Sequence, residues 1–142
     1  MGRYIGYTLI ELIVVLALIS IVFSIAVPSL GFIREFKEEH QIRQLKNDIL
    51  FARNQAIVKG KTYTVQFDFI RNGYVILVSG ETQKRVILEE GLELIKSMDV
   101  IEFSFSRTGV PRKSGTIKLK NSKNKIYEVV VTPVVGKVNI KK

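Results

Sequence analysis

Cysteine is absent from this chain of 142 residues, which removes disulfides, thiolate nucleophiles and thiolate zinc sites and leaves the redox compartment undetermined. Histidine is almost absent. His40 stands alone among Lys37, Glu38 and Glu39, and one imidazole without a nearby second ligand makes a poor metal site. No glycine-rich phosphate loop follows a strand-like run. Glu38 with Glu39, and Glu89 with Glu90, are sequence neighbours whose side chains diverge in a helix or a strand, so neither pair suggests cooperating carboxylates. Catalytic residues, cofactors and metal ligands are therefore not expected. Internal repeats and low-complexity linkers are also missing.

What the chain does have is a long apolar run. Residues 6–28, GYTLIELIVVLALISIVFSIAVP, contain one carboxylate, Glu11. A charged group at mid-bilayer depth costs about 2.5 to 3.5 kcal/mol on insertion scales, so such an acid sits near an interface or meets a cation. Glu11 lies four residues after Tyr7. A cut between Gly6 and Tyr7 would place the new amino group one helical turn from Glu11, and the positive end of the helix dipole would favour the acid as well. A secretory signal peptide would instead show a small-residue cleavage site after its apolar core. None follows Val27, and charges begin at Arg34. An ordinary membrane anchor needs about 20 apolar residues, which residues 12–33 supply, but it accounts for neither the Gly-Tyr-Thr run nor the acid. Along this segment Ala17, Ser20 and Ser24 form a small-residue stripe, which serves close helix packing or is incidental composition.

Gly6, Tyr7, Thr8, Leu9, Ile10 and Glu11 resemble the cleavage and methylation motif of type IV prepilins and type II secretion pseudopilins, and Pro28 falls where that family usually has a proline. Tyr7 departs from the phenylalanine more common there, with aromatic character kept. The resemblance implies that a prepilin peptidase cuts after Gly6 and methylates the amine of Tyr7. It implies that Glu11 sets register against that amine during assembly with other pilins, and that the anchor sits in the inner membrane with a cytoplasmic N-terminus and an external head. Arg3 is the only charged residue of the leader, while Arg34 and Lys37 follow the apolar run closely, so charge bias adds little to the orientation.

Beyond the apolar run the helical period continues. Ile42, Leu45, Ile49, Ala52 and Ala56 recur at steps of three and four, and Arg34 with Glu38 and Glu39 with Arg43 read as exposed pairs of opposite sign. Gly60 is placed to end this helix, and Pro28 should kink or loosen it, because proline lacks the backbone donor. After Gly60 the period changes to two. Tyr63, Val65, Phe67 and Phe69 alternate with polar residues; Arg71, Asn72 and Gly73 form a turn before a strand over 74–78. Further strands are expected at 84–88, 101–106, 116–120, 126–132 and 137–140, punctuated by Gly80, Gly91, Gly109, Gly115 and Gly136. The expected organisation is a leader over 1–6, a transmembrane and assembly helix over 7–33, its amphipathic continuation over 34–60, and a β-rich head over 61–142. This is an α+β fold, one long helix packed on an antiparallel head. The head, with Phe105-Ser106-Arg107-Thr108-Gly109, Gly115-Thr116-Ile117 and a last strand opened by Gly136-Lys137, resembles the H-type minor pseudopilins and the FimT-like minor pilins.

Acids are scarce in the last quarter. Residues 107–142 carry ten Lys or Arg and one acid, Glu128, whereas the rest of the chain holds twelve of each sign. Alternation puts Lys118 and Lys120 on one strand face, opposite Ile117 and Leu119, and Lys137 and Lys141 opposite Val138 and Ile140, with Lys142 following. Together the two rows read as a candidate surface for DNA or other anions, or as a solvated edge that discourages strand pairing. Two functions compete. One is a structural subunit that primes a secretion pseudopilus or pilus; the other, which the FimT-like resemblance suggests, is DNA binding at a pilus tip. A single-pass enzyme or sensor stands outside both. Co-expression with a prepilin peptidase should yield a product that begins at methylated Tyr7 with the apolar helix retained. Mass spectrometry checks this, and a mature N-terminus after Val27 would exclude it.

Overall fold

The computed structural model describes residues 7–89, 91–96, 100–132 and 137–141, with backbone only for 26–32. Gly6 and the rest of the leader, Glu90, Gly136 and Lys142 lie outside the described residues, while Pro28 lies within the helical span Leu9–Lys59. The chain divides into two units, Met1–Lys37 and Glu38–Lys142.

A helix, α1, spans Leu9–Lys59. It ends where expected, at Gly60, whose φ of 60° is the left-handed conformation that a side chain resists. Eight strands follow: β1 Tyr63–Asp68, β2 Gly73–Val78, β3 Glu81–Ile87, β4 Leu92–Ile95, β5 Glu102–Phe105, β6 Gly115–Asn121, β7 Ile126–Val131 and β8 Val138–Lys141. They form two four-stranded antiparallel sheets, in the orders β3-β2-β1-β5 and β4-β6-β7-β8. The fold is α+β, a helix packed on an antiparallel head. Strand β4 was not expected from sequence, because Leu92–Ile95 follows directly on Gly91, which reads as a turn.

One core serves the helix and both sheets. Ile42, Leu45, Ile49, Ala52 and Ala56 are all buried on α1, and they meet inward residues such as Tyr63, Val65 and Phe103 of the first sheet and Ile117, Leu119 and Val129 of the second. Phe67 stands edge-on to Phe103, with centroids 5.6 Å apart, a favoured geometry for aromatic pairs. Each fully buried aliphatic or aromatic side chain contributes about 1.5–3 kcal/mol relative to exposure. Strand β3 buries almost nothing, and its outer edge is unpaired within the sheet. Lys84 and Arg85 make that edge a poor template for another strand.

Glu38 corrects the sequence reading. It is 1 % exposed, not a member of a solvated pair with Arg34, because it lies one turn before Ile42 on the buried face. The pair Glu39 with Arg43 does form, at 3.7 Å.

The two sheets are joined through a turn residue. Asn72, between β1 and β2, takes φ 49°, which asparagine tolerates better than most residues. Its Nδ2 donates to Leu92 O at 2.7 Å, its Oδ1 accepts from Leu94 N–H at 2.8 Å, and its carbonyl accepts from Leu88 N–H at 2.8 Å. A side-chain amide thus occupies the place of a neighbouring strand on the free edge of β4. Replacing Asn72 by Ala removes two bonds worth about 0.5–1.5 kcal/mol each and strains the turn. Asn72→Ala should therefore destabilise the head by about 2–3 kcal/mol in chemical denaturation, and Asn72→Gly should cost less. In both variants the Leu94 amide should exchange faster with solvent.

Candidate assembly segment and head surface

In the first unit every described side chain between Leu9 and Ile25 is exposed, including Leu9 at 78 %, Leu18 at 59 % and Ile25 at 73 %. A helix apolar on all sides is stable only when something outside the chain covers it. Its serine hydroxyls are bonded internally: Ser20 Oγ donates to Leu16 O and Ser24 Oγ to Ser20 O, each at 2.8 Å. Thr8 caps the helix, since its Oγ1 accepts from Glu11 N–H at 3.3 Å. Thr8 and Glu11 therefore stand at the two positions of a capping box, a local reason for the acid that the sequence reading did not use. Tyr7, just before the cap, is 86 % exposed. Among the described residues no helix is long and apolar enough to cross a membrane.

In the second unit the buried face of α1 also carries polar side chains, each bonded to a different part of the head. Glu38 Oε1 accepts from Ser122 Oγ at 2.5 Å, and Gln41 Oε1 accepts from Glu89 N–H at 2.7 Å. Asp48 accepts from the Tyr74 hydroxyl at 2.6 Å and pairs with Lys84 Nζ at 2.7 Å. Arg53 Nε donates to Gly109 O at 3.1 Å. Burying such groups is tolerable only because they are bonded; Gln41 Nε2 is an exception, buried with no partner. Gly91 is required beside Glu38, since its φ is 101° and a Cβ there would lie 2.8 Å from Glu38 Oε1. The signal was present in the sequence, because 38, 41 and 48 keep step with 42, 45, 49 and 52.

The lysine rows come together only in part. Lys118, Lys120 and Lys141 share the outer face of the second sheet, but the register sets Glu128 between Lys118 and Lys141 and places Glu93 opposite Lys120. Lys118 Nζ meets Glu128 Oε1 at 3.0 Å. The face alternates in sign. Lys137 is exposed just before β8, and Lys142 lies outside the described residues. His40 is exposed on α1, and among the described residues no group of three or more His, Asp or Glu could hold a metal ion.

Comparison with known proteins agrees with both halves of this picture. The family described as the prokaryotic N-terminal methylation motif matches residues 1–27. The fold is that of the type IV minor pilin FimU of Pseudomonas aeruginosa, at 14 % identity and TM-score 0.62 over 78 % of this chain and 92 % of that one. It is equally that of the minor pseudopilin EpsH from the type 2 secretion system of Vibrio cholerae, at 15 % identity and TM-score 0.60 over 74 % of this chain and 96 % of that one. No curated protein matches the sequence.

The Asp48 cluster carries a pH signature. Burial, the hydrogen bond to Asp48 and the Asp48 charge together raise the Tyr74 phenol well above its ordinary value. The folded head therefore holds this proton more tightly than the unfolded chain does, and the contribution is full below the unfolded value of about 10 and is lost as pH rises beyond it. Urea denaturation at alkaline pH should show stability falling through pH ~10. Tyr74→Phe should flatten that fall without altering the stability profile near neutrality.

Proposed function

We propose that this chain is a non-enzymatic minor pilin or pseudopilin subunit. It is cut after Gly6 and methylated on Tyr7 by a prepilin peptidase, held in the inner membrane by residues 7–33 with its head outside, and then drawn into a filament with other pilins. The observation that carries this reading is the helix from Leu9 to Ile25, exposed on every side directly behind the methylation motif. The head is complete without it, because the core lies wholly between Ile42 and Val138. The segment therefore has no use inside its own chain, and lipid or neighbouring helices are what can bury it. The likeness of the whole fold to a minor pilin and a minor pseudopilin supports the same reading. A structural role is favoured over DNA uptake through Lys118, Lys120, Lys137, Lys141 and Lys142, since Glu93 and Glu128 interrupt that face.

Glu11 is the residue on which assembly should turn. Unpaired in an apolar bundle it would be costly, and the methylated amine of a subunit is the cation available to it. Gly6→Val should block cleavage, while Glu11→Val should leave cleavage intact and reduce recovery with partner pilins. Glu11→Gln separates the two local roles. Glutamine can still serve the capping box but cannot neutralise an amine, so it should assemble as poorly as Glu11→Val. Parental levels of assembly by Glu11→Gln would assign Glu11 to the cap alone. The measurement is co-purification of the processed subunit with its filament.

A further inference from the structure

Cations also come together at a place the sequence did not mark. Residues 49–67 and 103–127 contain no Asp or Glu, and the fold brings the end of α1 and the loop between β5 and β6 to one end of the head. Tyr63, which opens β1, pairs with Phe105, which closes β5, so Lys61 and Arg107 leave the ladder on the same side. The loop is seated on the helix at Gly109, where φ is 74° and a Cβ would lie 2.5 Å from Ile57 Cδ1. The bond from Arg53 to Gly109 holds it there, and Arg112 N–H donates to Ser104 O at 2.8 Å. Arg53, Lys59, Lys61 and Arg107 thus gather at this end, and Arg112 and Lys113 follow on the return alongside β5.

Lys59 has a local use, because it offsets the negative end of the helix dipole. Arg107, Arg112 and Lys113 belong to another segment, and the helix end does not require them. Among the described residues none of Lys59, Lys61, Arg107, Arg112 and Lys113 is in an ion pair. Of the acids among the described residues, Glu81 is brought near through the turn in which Ser79 N–H donates to Thr62 O, and Glu102 lies on β5, the strand beside which Arg112 and Lys113 return. Apolar groups lie among the cations: Val58 is 78 % exposed, Val110 48 % and Ile57 46 %.

We propose that this end of the head docks on an acidic surface of another subunit of the filament, one whose acidic rim surrounds an apolar centre. The inference rests on the pilin reading above. A second copy of this chain is disfavoured, since its net charge is also +9 and like fields repel. A phosphate backbone would neutralise the cations but leave Val58, Val110 and Ile57 in water. A protein covers both, with apolar contact at the centre and charge complementarity guiding the encounter.

The test places a photo-crosslinking residue at Arg107 in the full chain, and separately at Leu18, in cells that assemble the filament. From Arg107 the adduct should join a different subunit with the same N-terminal motif, through a peptide of net negative charge. Lys61→Glu with Lys113→Glu should abolish that adduct and spare the one from Leu18. A Leu18 adduct without an Arg107 adduct, an Arg107 adduct to a copy of the same chain, or one that survives the charge reversal overturns the proposal and leaves the pilin reading standing. Adducts from neither position would remove the pilin reading and this proposal together. Binding of duplex DNA by the detergent-solubilised chain, lost on the same charge reversal and with no protein adduct at Arg107, would assign the surface to nucleic acid and overturn the proposal.

Discussion

Both sheets of the head close on one face of α1, and the residues of that face explain most of the tertiary structure. Leu45, Ile49, Ala52 and Ala56 are fully buried there, and the small side chains of the two alanines leave room for strands to approach. Glu38, Gln41, Asp48 and Arg53 tie the same stretch to the β6–β7 turn, the segment after β3, the first sheet and the β5–β6 loop in turn. An apolar stripe alone would fix that the sheets pack, and the bonded polar groups fix where. A hydrogen bond contributes only about 0.5–1.5 kcal/mol net, but an orphaned buried partner costs about 1–3 kcal/mol. Misplacement of a sheet along the helix is therefore penalised several times over.

The same helix begins in the opposite condition. Its apolar residues from Leu9 to Ile25 are exposed, while the hydroxyls of Thr8, Ser20 and Ser24 are bonded within the helix. Such a surface is stable in lipid and stable among similar helices, and transfer between the two exchanges one apolar environment for another. Nothing in the head would have to change on that transfer, because its core is closed without the first unit. This separation fits a subunit that is stored in one place and used in another.

Charge follows position more than composition. The basic last quarter suggests a continuous lysine surface, yet Glu93 on β4 and Glu128 on β7 divide the outer face of the second sheet. Among the described residues a second group of cations, Arg53, Lys59, Lys61 and Arg107, lies where the end of α1 meets the β5–β6 loop. Counting charges along the chain cannot separate these cases, because a single acid in register between two lysine strands neutralises a row that looks uniformly basic in sequence.

Two features of this protein were legible from sequence because they are local. The motif from Gly6 to Glu11 depends on spacing within one or two helical turns, and the change of period at Gly60 separates helix from strands, so the α+β organisation and most strand positions followed directly. Strand β4 was hidden, since it follows directly on Gly91, which reads as a turn, and its pairing with β6 is made across more than twenty intervening residues. Burial of Glu38 was legible only in its step with Ile42, Leu45 and Ile49 and was masked by the adjacent charges, which suggest a solvated face; the arrival of Ser122 and Gly91 shows what that carboxylate is for. The sequence by itself determined the processing motif, the apolar segment that needs an external partner, and the alternation that makes a head. Tertiary structure alone decided which groups the inward polar side chains bond and how charge is distributed over the head surface, because both depend on contacts between segments far apart in the chain, and no local spacing encodes them.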